Sequence, residues 1–193
     1  MKALTWLLAT ALALALPAVA AQTVTVKGAE FAERIETEAG PLTLAGAGVA
    51  KYRVLFTVYA AALHVPEGTP RGSLLAEDTP RSLTIEYFYD IDAADLARAA
   101  DEVLERQLDE SERAAIADAV DRLHQLYRPV SEGDRYRITY LPGTGTRLAL
   151  NGEVLGTVAG ATFARAYFGI WLAEGALSDS LRTALTEGLE PAG

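Results

Sequence analysis

The sequence predicts an α+β fold, an open and mainly antiparallel β-sheet covered on one face by a layer of helices. Three observations predict it. Segments with a hydrophobic period of two fill the first half of the chain, two amphipathic helical segments follow, and a hairpin with further helices closes it. Strands and helices therefore come in runs, not in the alternation that a parallel βαβ sheet requires. About 170 residues follow a removable leader, enough for one domain to bury a core without staples.

The leader is the first element. Lys2 supplies a positive start, and the apolar run from Leu4 to Leu16 is broken only by Thr5 and Thr10. Pro17 then ends the helix, because it lacks an N–H and its ring clashes with the preceding turn. Ala18-Val19-Ala20 and Val19-Ala20-Ala21 both present the small residues that signal peptidase accepts. Residues 1–21 are thus expected to be a cleaved signal, and residues 22–193 a single domain. The apolar run is shorter than the roughly 20 residues needed to span the hydrocarbon core, and no basic stop-transfer cluster follows it. The expected destination is the periplasm or the medium, without stable membrane insertion.

The remaining elements follow in order. Thr23 to Lys27 alternates Val24 and Val26 with polar neighbours, a half-buried strand. Phe31 to Thr37 is a weaker strand closed by a Gly40-Pro41 turn, and Leu42 and Leu44 begin another that meets a turn at Gly46-Ala47-Gly48. Tyr52 to Val65 is the longest strand expected. Its alternation puts Tyr52, Val54, Phe56 and Val58 on one face and Lys51, Arg53, Leu55, Thr57 and Tyr59 on the other. The second face mixes charge, hydroxyls and apolar groups, the composition of a partly wet crevice. Leu83 to Tyr89 is rich in β-branched and aromatic residues and reads as the next strand.

After Asp92 the period changes. Leu96, Ala99, Ala100, Val103 and Leu104 recur at helical spacing, and Asp109 with Glu112 forms a capping box ahead of the stripe Ile116, Ala119, Val120, Leu123 and Tyr127. Strands return at Tyr136 to Tyr140, and Thr146 to Leu150 and Glu153 to Val158 flank the hairpin signal Asn151-Gly152. Phe163 to Leu172 and Asp179 to Leu189 read as the closing helices.

Composition excludes several chemistries. The chain has no cysteine, which removes thiol nucleophiles, thiolate metal sites and Fe–S clusters. A net charge of -9 with no basic patch argues against nucleic acid as a partner. The two histidines, His64 and His124, are far apart and in no metal-ligand spacing, and His124 is expected on a helix surface. Gly46-Ala47-Gly48 lacks the third glycine and following helix of a dinucleotide fingerprint, and Pro142-Gly143-Thr144-Gly145 lacks the Lys and helix of a phosphate loop. No cofactor, metal or catalytic residue is expected.

Six phrases stand in order along the chain: Leu44-Ala45-Gly46-Ala47-Gly48-Val49, Val58-Tyr59-Ala60-Ala61-Ala62-Leu63, Gly133-Asp134, Tyr140-Leu141-Pro142-Gly143-Thr144-Gly145-Thr146, Leu150-Asn151-Gly152 and Gly169-Ile170-Trp171-Leu172. Together they resemble the bacterial branch of the chalcone-isomerase-like family. The resemblance implies a ligand cleft between sheet and helices. It also implies two activities, an intramolecular lyase that closes chalcones and a non-enzymatic binder that holds a fatty-acid carboxylate on a cation and a tyrosine. Matched to the plant enzymes, Tyr59 stands where they carry Thr, their Arg falls near Gly46, and their Tyr and Asn fall near Asp90 and Ala97. Their late hydroxyl falls near Phe168, so the catalytic set is not preserved.

The expectation is therefore a monomeric, exported binder of a fatty acid or similar amphipathic carboxylate. Lys51, Arg53, Thr57 and Tyr59 are its expected polar end, and Phe163, Tyr167 and Trp171 are candidate walls. The alternatives are the lyase and an interaction protein whose cleft is closed by side chains. From the leader it follows that exported protein begins at Ala21 or Gln22. Intact-mass measurement of exported material checks this, and a chain still starting at Met1 would overturn it.

Overall fold

The computed structural model describes residues 22–52 and 56–191. The expected leader therefore lies outside the described residues. Strands β1 (Thr23–Val26) and β2 (Ala29–Ala32) form a separate antiparallel hairpin. Strands β3 (Arg34–Thr37), β4 (Gly40–Tyr52), β5 (Phe56–Val65) and β6 (Arg81–Tyr87) begin the main sheet. Helices α1 (Ala93–Gln107) and α2 (Glu110–Leu126) interrupt it before β7 (Arg135–Leu141), β8 (Gly145–Leu150) and β9 (Glu153–Val158). Helices α3 (Ala161–Leu172) and α4 (Asp179–Leu185) end the chain. The main sheet has seven strands in sequence order, each antiparallel to its neighbours, and it curls toward a half-barrel.

Local chemistry fixes the joints. Asn151 and Gly152 take positive φ (50° and 88°), as a tight hairpin turn between β8 and β9 demands. Asp109 accepts from the Glu112 N–H at 2.9 Å while Glu112 accepts from the Asp109 N–H at 3.0 Å, so the expected capping box starts α2.

The two faces of the sheet have different covers. Tyr59, Leu63, Leu83, Ile85, Tyr136 and Ile138 point toward the helices, where Val103, Leu123, Phe163 and Phe168 meet them in the main core. On the opposite face Ala60 and Ala62 lie under Ala29 and Phe31 of the β1–β2 hairpin. Among the described residues no helix is long and apolar enough to cross a membrane.

One buried cation ties sheet to helix. Arg81, at the start of β6, is wholly buried, and its Nη1 donates to the carbonyls of Ala76 (3.0 Å) and Thr79 (2.9 Å). Its guanidinium lies over the rings of Tyr140 (4.5 Å) and Phe168 (4.9 Å), which replace part of its lost hydration. Burial pulls its pKa down to about 10, so it keeps its charge at neutral pH.

Three expectations are corrected. Gly46-Ala47-Gly48 is not a turn but the middle of β4, and the expected single strand Tyr52–Val65 is divided between the end of β4 at Tyr52 and β5 from Phe56, which pair antiparallel. The reason is proximity. A Cβ on Gly46 would stand 2.1 Å from the Ala184 carbonyl oxygen, and one on Gly48 would stand 2.7 Å from the Ala184 Cβ. These glycines let α4 lie directly on the strand, a demand that local sequence does not display. His124 is not on a helix surface either. It is half-buried, and its Nε2 is 3.1 Å from the Tyr167 hydroxyl.

Replacing Gly46 with Ala should force α4 off β4 and destabilise the protein by about 1–3 kcal/mol. Urea unfolding checks this, and an unchanged midpoint would contradict the packing role.

Candidate functional site

A cavity of about 300 Å³ opens between the sheet and the helices. That is the lower end of the range for small-molecule pockets, roughly 300–1,000 Å³. Val58, Tyr59, Ile85 and Tyr87 form its sheet wall. Leu96 and Ala100 of α1 and Ile170 and Trp171 of α3 form the helical wall, with Leu177 from the segment before α4. Exposed Lys51, Asp95 and Glu102 mark its rim.

A bulge places the central tyrosine. Ala50 of β4 pairs with Tyr59 and Lys51 pairs with Thr57, so two steps along β5 oppose one step along β4. The extra residue, Val58, breaks the alternation. Tyr59 stays under the helices, while Thr57 goes to the other face, where it accepts from Lys27 Nζ at 2.8 Å.

The sequence expected Lys51, Arg53, Thr57 and Tyr59 on one face. The structure brings Lys51 and Tyr59 to the cavity lining and leaves Thr57 with the β1–β2 hairpin. Arg53 lies outside the described residues. Of the expected walls, Trp171 lines the cavity, while Phe163 and Tyr167 are buried core behind it.

Hydrogen-bond accounting gives Tyr59 its chemistry. Trp171 Nε1–H donates to the Tyr59 hydroxyl oxygen at 3.0 Å. An indole is a donor only, so the phenol must accept here and keeps its own proton to donate elsewhere. Burial pushes the Tyr59 pKa well above the ordinary value, against a smaller opposing effect of the Trp171 bond. The group is a neutral donor at physiological pH.

Tyr87, paired with Tyr59 across β5 and β6, also lines the cavity, with its ring centroid 5.8 Å from that of Tyr59. Burial raises its pKa as well, and no described residue bonds its hydroxyl. Sequence reasoning missed Tyr87. Its signal was there, since Leu83, Ile85 and Tyr87 alternate, but the pairing with Tyr59 was not.

Behind this pair lies a braced aromatic layer. Tyr127 and Tyr167 share a hydroxyl contact of 2.7 Å, and His124 joins them. The Tyr136 hydroxyl accepts from the Arg128 N–H at 2.7 Å and donates to the Arg128 carbonyl at 2.9 Å. The tyrosines are too weakly acidic to serve as bases at neutral pH. Of the positions that the resemblance assigned to catalysis, Tyr59 brings a hydroxyl to the cavity, while Gly46, Asp90 and Ala97 lie outside its lining and Phe168 packs on Arg81. Among the described residues no cluster of three or more His, Asp or Glu could hold a metal ion.

An antiparallel sheet with a helical layer and an aromatic cleft between them defines the class. A family model described as chalcone isomerase-like matches residues 23–186, and the chain belongs to that family. Among solved structures, a fatty-acid-binding protein of Arabidopsis thaliana superposes with a TM-score of 0.69 at 15% identity, covering 86% of this chain and 96% of that one. At that identity the likeness establishes the fold. No curated protein matches the chain by sequence.

The two histidines, His64 buried and His124 half-buried, give the fold a pH dependence. His64 Nε2 contacts the Ala32 carbonyl at 2.7 Å. Burial pulls the His64 pKa down, the Ala32 contact opposes this, and the Arg137 charge adds to the fall. Burial also lowers His124, against the carboxylates of Asp101 and Asp121. Unfolded histidine takes up its proton near pH 6.5, while the lowered folded groups take it up at lower pH, so in between the unfolded state binds more protons and stability falls as the pH falls. Urea unfolding free energy should therefore fall from about pH 7.5 to 5.5, and His64→Gln should flatten part of that fall. An identical slope in wild type and variant would refute it.

Proposed function

We propose that this protein is a non-catalytic binder of a fatty acid or similar amphipathic carboxylate, held in the cleft between sheet and helices. The observation that carries the reading is the Tyr59 hydroxyl, which accepts from a donor-only indole and so has a proton left for a ligand oxygen. Tyr87 supplies a second neutral phenol beside it, and Lys51 a cation at the rim. Ile85, Leu96, Ala100 and Ile170 give the acyl portion an apolar wall. Asp95 and Glu102 at the rim disfavour a second anionic group there, which selects ligands with one acidic end. The fatty-acid binding named for the Arabidopsis protein agrees with this reading. A lyase would need a polarising set that Gly46, Asp90, Ala97 and Phe168 do not supply. The apolar run and small-residue cleavage pattern of residues 1–21 support an exported binder.

A hydrogen bond to a charged group contributes about 1.5–3 kcal/mol. Tyr59→Phe should therefore weaken fluorescent fatty-acid binding by roughly ten- to a hundredfold, and Thr57→Val should leave it unchanged. Titration of both variants, with circular dichroism to confirm folding, decides it. Equal affinity in folded Tyr59→Phe and wild type would refute the site.

A further inference from the structure

The sheet has a second concave surface, on the face away from the helices. Antiparallel register sets Ser82, Thr139 and Arg147 on one rung, Thr84, Arg137 and Ala149 on the next, and Glu86 with Arg135 on a third. Directly paired residues project to the same side of a sheet, so three guanidinium groups rise from one surface. The curl of the sheet brings the β3–β4 turn over this surface, where Glu38 pairs with Arg147 at 2.9 Å. The result is a concavity of about 240 Å³ with Thr84, Arg137 and Thr139 on its floor and Ile35 and Thr37 on its wall.

One of the three guanidinium groups lacks a carboxylate partner among the described residues. Arg135 pairs with Glu86, Arg147 pairs with Glu38, and Glu36 is an exposed partner of Arg34. Among the described residues no carboxylate lies within ion-pair distance of Arg137. Among the described residues its one hydrogen bond runs from Nε to the Thr84 hydroxyl oxygen at 3.3 Å, and both terminal nitrogens have no partner there. Because Thr84 accepts from Arg137, its own O–H is also available to donate. Desolvation in the curl and the Arg135 charge both act against the Arg137 cation, and a bound anion would offset both.

We propose that this concavity is a second binding site, in which Arg137 and Thr84 hold the phosphate or carboxylate of a small polar molecule. A guanidinium offers parallel donors that match either oxyanion in a forked pair. The volume equals that of about eight waters in the liquid, which suits a small phosphate monoester. An acyl chain would have to desolvate the arginines and threonines, so the site and the helix-side cleft take different ligands. The same chemistry admits a free metabolite or the head group of an anionic lipid.

The test uses sn-glycerol 3-phosphate at constant ionic strength, followed by amide and arginine Nε–H chemical shifts of the full mature chain. Saturable shifts at Thr84, Arg137 and Thr139 are expected, with none for glycerol. Arg137→Gln should weaken binding roughly ten- to a hundredfold, and Arg137→Lys, which keeps charge without the fork, should fall between. Vesicles of phosphatidylglycerol, against phosphatidylcholine, form the second arm. Sedimentation with the former that is lost in Arg137→Gln identifies a lipid head group, and saturation by glycerol 3-phosphate without vesicle binding identifies a free anion. Tyr59→Phe should give the same shifts as wild type, so this result is independent of the fatty-acid reading. No saturable shift and no vesicle binding, or equal affinity in folded Arg137→Gln and wild type, would overturn the proposal.

Discussion

Alternation along β6, β7 and β8 is the constraint from which both surfaces of this protein follow. Successive side chains on a strand point to opposite faces, so Leu83, Ile85 and Tyr87 go under the helices while Ser82, Thr84 and Glu86 go to the open face. Tyr136, Ile138 and Tyr140 alternate in the same way with Arg135, Arg137 and Thr139. A slip of one residue in any pairing would place arginines beneath α3 and aromatics in water. Several kcal/mol of burial therefore hold the register, in keeping with about 1.5–3 kcal/mol per large apolar side chain. The helix-side cleft and the cationic concavity are two consequences of one register.

Polar groups inside the core act as locators. Arg81 fits only where three loop carbonyls and the faces of Tyr140 and Phe168 converge, so it ties the loop before β6 to β7 and α3 at one point. The Trp171–Tyr59 bond does the same between α3 and β5. An apolar contact in their place would tolerate sliding, whereas a buried hydrogen bond has a position and a direction. The cleft keeps its shape because its walls are located this way. The same bond leaves the Tyr59 proton directed elsewhere, which joins the structural role of Trp171 to the proposed ligand chemistry.

Local sequence carried most of the elements. Asn151-Gly152, the Asp109–Glu112 box and the helical stripe of α2 are governed by neighbours within a few residues, and all stand where the pattern puts them. The site was legible only in part. Tyr59 could be singled out, but Tyr87 gains its place from a partner 28 positions away across the β5–β6 pairing. Thr57 failed for a local reason that leaves no mark in composition, since a bulge shifts the parity of every residue before it.

The sequence by itself determined the fold class, the broad order of strands, helix pair, hairpin and closing helices, and the start and turn signals of α2 and the β8–β9 hairpin, because these depend on periodicity, capping and turn chemistry. Tertiary structure decided what the glycines of β4 are for, since Gly46 and Gly48 answer to a helix more than 130 residues further along the chain. It also decided which hydroxyls face the cleft and which arginine of the second concavity has no carboxylate partner among the described residues. Those properties depend on distances between separate strands and helices, and such distances exist only once the sheet has curled and the helices have settled on it.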